Sequence, residues 1–309
     1  MRYIIALIIA VSLDSARAAE QDLGPYYPKD SFAMLSVDLN KMVMSPFGKK
    51  VFGTDDKFTS AVKLITLYQP SNDLEQPMLS AKMKKVVGTV VNKLERVTTV
   101  VSHVEPKEKL FDFRIVTFVE GSVTENEYAN AFEVLANESN VKLDSENRIG
   151  RKWFDLSAIT RVDGLMGVLA KKGLFLIFQR VDAENILEII SGKTMPAMNK
   201  KLITAVASVK PDETSVYLVV AGNIIDTAQV TLSFKGDAEL SGKYEGDLAE
   251  TIEQGFLEQV ESLTVGTSRS ARLWAAAKLT VARKDKTVTL NGKFSAKLLA
   301  EEYGKIKVK

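Results

Sequence analysis

The chain of 309 residues has no cysteine and one histidine, His103. The first absence removes disulfides, thiolate nucleophiles and cysteine-ligated zinc or iron–sulfur centres together. The second removes multi-histidine metal sites within one chain and leaves no spare imidazole for a Ser-His-Asp arrangement. An excess of one charge sign is missing too. The 41 basic and 39 acidic residues nearly cancel, which argues against a dedicated nucleic-acid surface. Three local signatures are also lacking: a Gly-x-Ser-x-Gly elbow, a glycine-rich phosphate loop leading from strand to helix, and an Asp-x-Asp-x-Asp-Gly calcium loop.

What is there suits a folded chain, since 46% of residues are hydrophobic, enough for a sizeable core. At the N-terminus Arg2, the apolar run Tyr3–Leu13 and Ala16-Arg17-Ala18 have the charged, apolar and small-residue segments of a secretory signal. A run of about eleven residues is too short to span a bilayer of roughly 30 Å as a permanent helix. Residues 1–18 are therefore expected to be a signal peptide, with a mature, extracytoplasmic chain from about Ala19. The alternative is an uncleaved anchor.

Val230–Val260 organises the rest. Val230, Leu232 and Phe234, then Ala238, Leu240, Gly242 and Tyr244, alternate with polar residues around Lys235-Gly236-Asp237, the pattern of a half-buried antiparallel hairpin. The period then changes. Asp247 and Glu250 have capping-box spacing, and Leu248, Ile252, Phe256, Leu257 and Val260 recur at helical spacing, so a helix is expected across the hairpin's apolar face. A second such unit spans Leu279–Ile306, with Ser295 as helix cap and Leu290-Asn291-Gly292-Lys293-Phe294 matching Leu240-Ser241-Gly242-Lys243-Tyr244. Looser copies occupy Val97–Ala136, with Thr124 and Glu127 as capping box, and Leu165–Ile190, with Asp182 as cap.

The segment Pro28–Val37 echoes Pro211–Val220: proline, acidic turn, hydroxyl residue, strand. The expected fold is thus α+β, mostly antiparallel sheets with helices on one face, in two related halves. These are residues 19–208, with a helical insert at about 55–96, and residues 209–309. The insert reads as helices over Asp56–Tyr68 and Pro77–Arg96. The second has an apolar stripe from Leu79 to Leu94 opposite Lys82, Lys85, Lys93 and Arg96. Such a stripe faces a protein core or, on a basic helix, an anionic lipid surface.

Val37-Asp38-Leu39, followed by Ser45-Pro46-Phe47-Gly48-Lys49 and by the hairpin-and-helix units, resembles a family of uncharacterised secreted proteins of planctomycete-type bacteria. The resemblance covers most of the mature chain and implies no catalytic signature and no site residue.

Three carboxylate pairs invite a catalytic interpretation: Glu125 with Glu127, Asp144 with Glu146, and Asp182 with Glu184. Each has a plainer one. The first and third fall in helix first turns, where acids favour the dipole, and the second falls in a polar loop, Asp144–Ile149. His103 ends an alternating run and reads as a strand histidine without an assigned carboxylate partner. Trp153 and Phe154 read as core, and Trp274, near Arg269 and Arg272, as an aromatic ending a strand. Gly242 and Gly292 read as structural, each on the apolar face between a leucine and an aromatic.

No catalytic, cofactor-binding or metal-ligating residue emerges, and no cofactor is expected. The first interpretation is a non-catalytic extracytoplasmic binding or scaffold protein. Its partner would be a protein or envelope component rather than nucleic acid, with peripheral membrane contact through the helix at about 77–96. The others are an envelope hydrolase whose site assembles only in three dimensions and a carrier or sensor of an apolar or lipid ligand.

Overall fold

A computed structural model describes residues 31–54, 56–67, 80–103, 113–192, 199–209, 216–221, 227–234, 236–266 and 269–304. The signal-peptide expectation and the loop between the two insert helices lie outside the described residues. In chain order the elements are β1 (Ser31–Asp38), α1 (Leu39–Met44), α2 (Pro46–Phe52), α3 (Lys57–Leu67), α4 (Ala81–Lys93), β2 (Leu94–His103) and β3 (Phe113–Gly121). Next come α5 (Glu125–Glu138), β4 (Asp144–Arg148), β5 (Arg151–Asp155), α6 (Ser157–Thr160), β6 (Leu165–Lys171), β7 (Leu174–Gln179), α7 (Ala183–Ile190) and α8 (Lys200–Ser208). The remainder is β8 (Val216–Ala221), β9 (Thr227–Phe234), β10 (Ala238–Glu245), α9 (Ala249–Thr264), α10 (Arg269–Ala276), β11 (Thr280–Lys284), β12 (Thr287–Phe294) and α11 (Ala296–Gly304).

The fold is α+β. Among the described residues twelve strands join one antiparallel sheet in the order β11-β12-β10-β9-β8-β1-β2-β3-β7-β6-β5-β4, so β1 and β8, far apart in sequence, lie side by side within it. One face buries Val37, Val97, Val119, Phe154 and Phe175 against α1–α6, α10 and α11. The other buries Met34, Val100, Phe118, Trp153, Leu176 and Phe178 against Ile186 of α7 and Leu202 and Val206 of α8. Helices on one face only is therefore corrected. The central strands are apolar at odd and even positions alike, as Leu174-Phe175-Leu176-Ile177-Phe178 shows, and such strands need cover on both sides. Two pairs of hydroxyls inside the sheet satisfy each other. Ser36 and Thr98 hydroxyls lie 3.2 Å apart and those of Thr99 and Thr117 3.1 Å apart, all buried.

Local chemistry explains several boundaries. The Ser45 hydroxyl accepts from the Gly48 amide at 2.9 Å, Pro46 takes the first helical position, and Gly53 closes α2 at φ 65°. Gly48 lies inside α2. A Cβ there would stand 2.2 Å from the Met42 carbonyl oxygen, so only glycine lets α1 and α2 approach this closely. Thr124 and Glu127 cap α5 reciprocally, as their spacing predicts.

Other boundaries differ. The carboxylates of Asp247 and Asp182 make no helix cap; they pair with Lys286 and, at 3.0 Å, Arg114, because a cation within reach outcompetes a backbone amide. The polar stretch from Asp144 forms β4, an edge strand with no apolar alternation to betray it, paired with β5. Trp274 is helical, and its ring packs edge-on against Phe294. Helix α4 starts after a Ser80 cap and stops at Lys93, which places Arg96 in β2. Helix α9 packs on β11, β12 and β10 with only Ala249 buried, and leaves Leu248 and Leu257 53% and 44% exposed.

Candidate functional site

The three carboxylate pairs of the sequence are each engaged elsewhere. Glu127 caps Thr124 and pairs with Lys93, while Glu125 accepts from the Lys152 amide at 3.2 Å. Asp144 pairs with Lys142 and Glu146 with Arg148 on the exposed edge strand. Asp182 takes Arg114, and burial outweighs that guanidinium and raises its pKa; Glu184 takes Arg148. Arg148 bridges Glu146 of the second pair and Glu184 of the third. His103 closes β2 opposite Phe113. Among the described residues no group of three or more His, Cys, Asp or Glu could hold a metal ion, and no helix is long and apolar enough to cross a membrane. The apolar stripe of α4, from Met83 to Val91, is committed to the core, so any membrane contact by this helix is left to its lysine face.

Two arrangements have chemistry of their own. The first is a charged row where strand ends meet the helical layer. Antiparallel register sets Asp38, Arg96 and Glu120 side by side on β1, β2 and β3. Arg96 Nη2 stands 3.4 Å from Asp38 Oδ2, with the two side chains 12% and 14% exposed. Asp38 Oδ1 also accepts from the Lys41 amide at 2.8 Å, capping α1. Burial pushes the Glu120 carboxyl up to about 7, opposed by Arg96 and Lys171 and reinforced by Glu95 and Asp38. Lys57 donates to the Leu94 carbonyl, and burial lowers its pKa against the pull of Glu95 and Asp38. The row holds a proton near neutrality, but its central side chains are too covered for a polymer to reach.

The second is the outer face of β9–β12. The register lines up Thr227, Glu245, Thr287 and Lys284; then Gln229, Lys243, Thr289 and Ala282; then Thr231, Ser241, Asn291 and Thr280; then Ser233, Glu239 and Lys293. Every one of these residues is exposed or half-exposed. The third row is wholly neutral, with Ser241 Oγ 3.3 Å from Asn291 Oδ1. Its flanking charges are matched within the face: Lys243 with Glu245 at 2.6 Å, and Lys293 with Asp237 at 3.4 Å and Glu239 at 3.6 Å. Helix α8 borders the face, where Ser208 Oγ donates to Gln229 Oε1. At the other side, where β11 stops short of β12, a cleft of about 550 Å³ opens between Glu239, Ser241, Asn291, Lys293, Lys278 and Thr280.

The charged row escapes sequence reasoning because its members come from three strands and meet only through register. The polar face had a signal: the alternate residues of both hairpins are hydroxyl, amide or charged, with Ala282 the exception. Comparison with family models, with curated proteins and with solved structures finds no match to the chain.

Proposed function

We propose that the chain is a non-catalytic extracytoplasmic binding or scaffold protein that presents the outer face of β9–β12 to a protein or envelope polymer. The observation that carries this is the uneven cover of one sheet surface. Beneath α7 and α8 that surface is apolar and buried, whereas across β9–β12 the same surface is polar and open. A neutral row of hydroxyl and amide groups between internally matched charges suits an uncharged or mixed-charge partner held by many weak hydrogen bonds.

The same proposal takes the chain as two related halves. The alignment of Pro28–Val37 on Pro211–Val220 puts Leu35 on Leu218, and these two are direct cross-strand partners, as a two-fold axis between β1 and β8 requires. Outward from β1 run β2, β3, β7 and β6, with β5 and β4 added beyond them; outward from β8 run β9, β10, β12 and β11. The open polar face is then the place where one half has diverged from the other.

The test is co-sedimentation of the purified chain with insoluble envelope polysaccharide and, separately, with envelope protein immobilised on beads. Binding to one of them is expected, with a loss of tenfold or more when Ser241 and Asn291 are both changed to arginine while the unfolding midpoint stays put. Binding to neither, or binding indifferent to the double change, defeats the proposal. Turnover of an ester, glycoside, peptide or phosphate substrate would replace it with the hydrolase.

A further inference from the structure

On the charged row two buried atoms lack a partner, Arg96 Nε and Glu120 Oε2, and they are chemical complements: a donor that cannot lose its proton and an acceptor on the neighbouring strand. The guanidinium meanwhile reaches Asp38 at 3.4 Å, well beyond the roughly 2.7–2.9 Å of a strong charge-assisted bond. One cation thus stands between two carboxyl groups with a long bond to the first and an unmade bond to the second. We propose that Arg96 is a two-position latch, held by Asp38 while Glu120 carries a proton and drawn onto Glu120 when that proton leaves, so that the grip on the start of α1 follows pH.

The surroundings permit both positions. Asp38 keeps the Lys41 amide at 2.8 Å and the Lys41 ammonium at 3.9 Å when Arg96 departs, so its carboxylate is not stranded. From the other elements Lys57 of α3, Glu95 at the irregular start of β2 and Lys171 at the β6–β7 turn contribute charge. Lys57 is tied to the Leu94 carbonyl, which leaves Arg96 as the cation in register with Glu120. An ionised carboxylate buried beside a guanidinium with a spare N–H gains more by closing that bond than the guanidinium loses by leaving a long one. The burial-raised Glu120 places the change near neutrality.

The experiment is carbon-detected NMR of the full chain from about pH 5 to about pH 8.5, a range that brackets the ordinary and shifted carboxyl values. The expected result is a Glu120 carboxyl resonance with a midpoint near about 7, an Arg96 Nε resonance that moves with the same midpoint, and faster amide exchange in α1 above it after correction for intrinsic rates. In Glu120→Gln, which mimics the protonated form, Arg96 Nε should stay at its low-pH position throughout. An Arg96 resonance that does not move in the wild type, or moves equally in the variant, overturns the latch. If the variant does not fold, the wild-type titration decides alone, since a Glu120 midpoint in the ordinary carboxylate range also overturns it.

Discussion

Glu120 ionises in an unfolded chain near its ordinary 4.5 but in the folded protein holds its proton to about 7. Between those values the native state binds the extra proton, so stability falls as pH rises. This contribution is fully present below about 4.5 and is lost through about 7, on the order of 3 kcal/mol across the window. Denaturant midpoints at about pH 5 and about pH 8 should therefore lie closer together in Glu120→Gln than in the wild type. Two glycines make steric predictions. A Cβ on Gly242 would sit 3.2 Å from Leu290 Cβ, an atom fixed to the neighbouring strand, so Gly242→Val should cost on the order of 1–3 kcal/mol by overpacking. On Gly292 the obstacle is Leu279 Cδ2, a methyl that can turn away. Urea titrations should accordingly find Gly292→Ala milder than Gly242→Val, and equal midpoint losses would show that the two strands are not held as described.

At the level of elements, helix α2 gives the clearest test, because its start rests on one hydroxyl. Ser45→Ala removes the acceptor for the Gly48 amide and should lower stability by about 1 kcal/mol, read from thermal or chemical unfolding. That start was legible in the sequence since Ser-Pro acts locally, and so was the alternation of β9, β10 and β12, where one face stays wet. Legibility failed where distant residues decide. Lys93 and Arg96 share a helical face by spacing, yet the chain leaves the helix between them because Arg96 meets Asp38, 58 positions earlier. Asp182 stands at the cap position of α7 and Asp247 one residue before that of α9, and both carboxylates are claimed by cations from other elements. The charged row was unreadable for the same reason, being a product of register on three strands.

At the scale of the whole molecule the pairing of β1 with β8, and the stacking of Phe47 on Phe234 with centroids 4.9 Å apart, tie the two wings of the sheet together. Unfolding should thus be a single transition. The two tryptophans report on opposite wings, Trp153 on β5 and Trp274 on α10. In each single-tryptophan variant the fluorescence midpoint should coincide with that variant's far-UV circular dichroism midpoint, and a gap between them would mean the wings melt separately. Among the described residues the same sheet is open, ending at β4 and β11, and the margin of an open sheet is where a further strand can be templated. Both outermost strands, Asp144-Ser145-Glu146-Asn147-Arg148 and Thr280-Val281-Ala282-Arg283-Lys284, are five residues long, exposed or half-exposed, and charged. An incoming chain would meet charged and exposed side chains along both margins and no apolar strip to bury, so copies of this protein should resist growing into ribbons edge to edge even when concentrated.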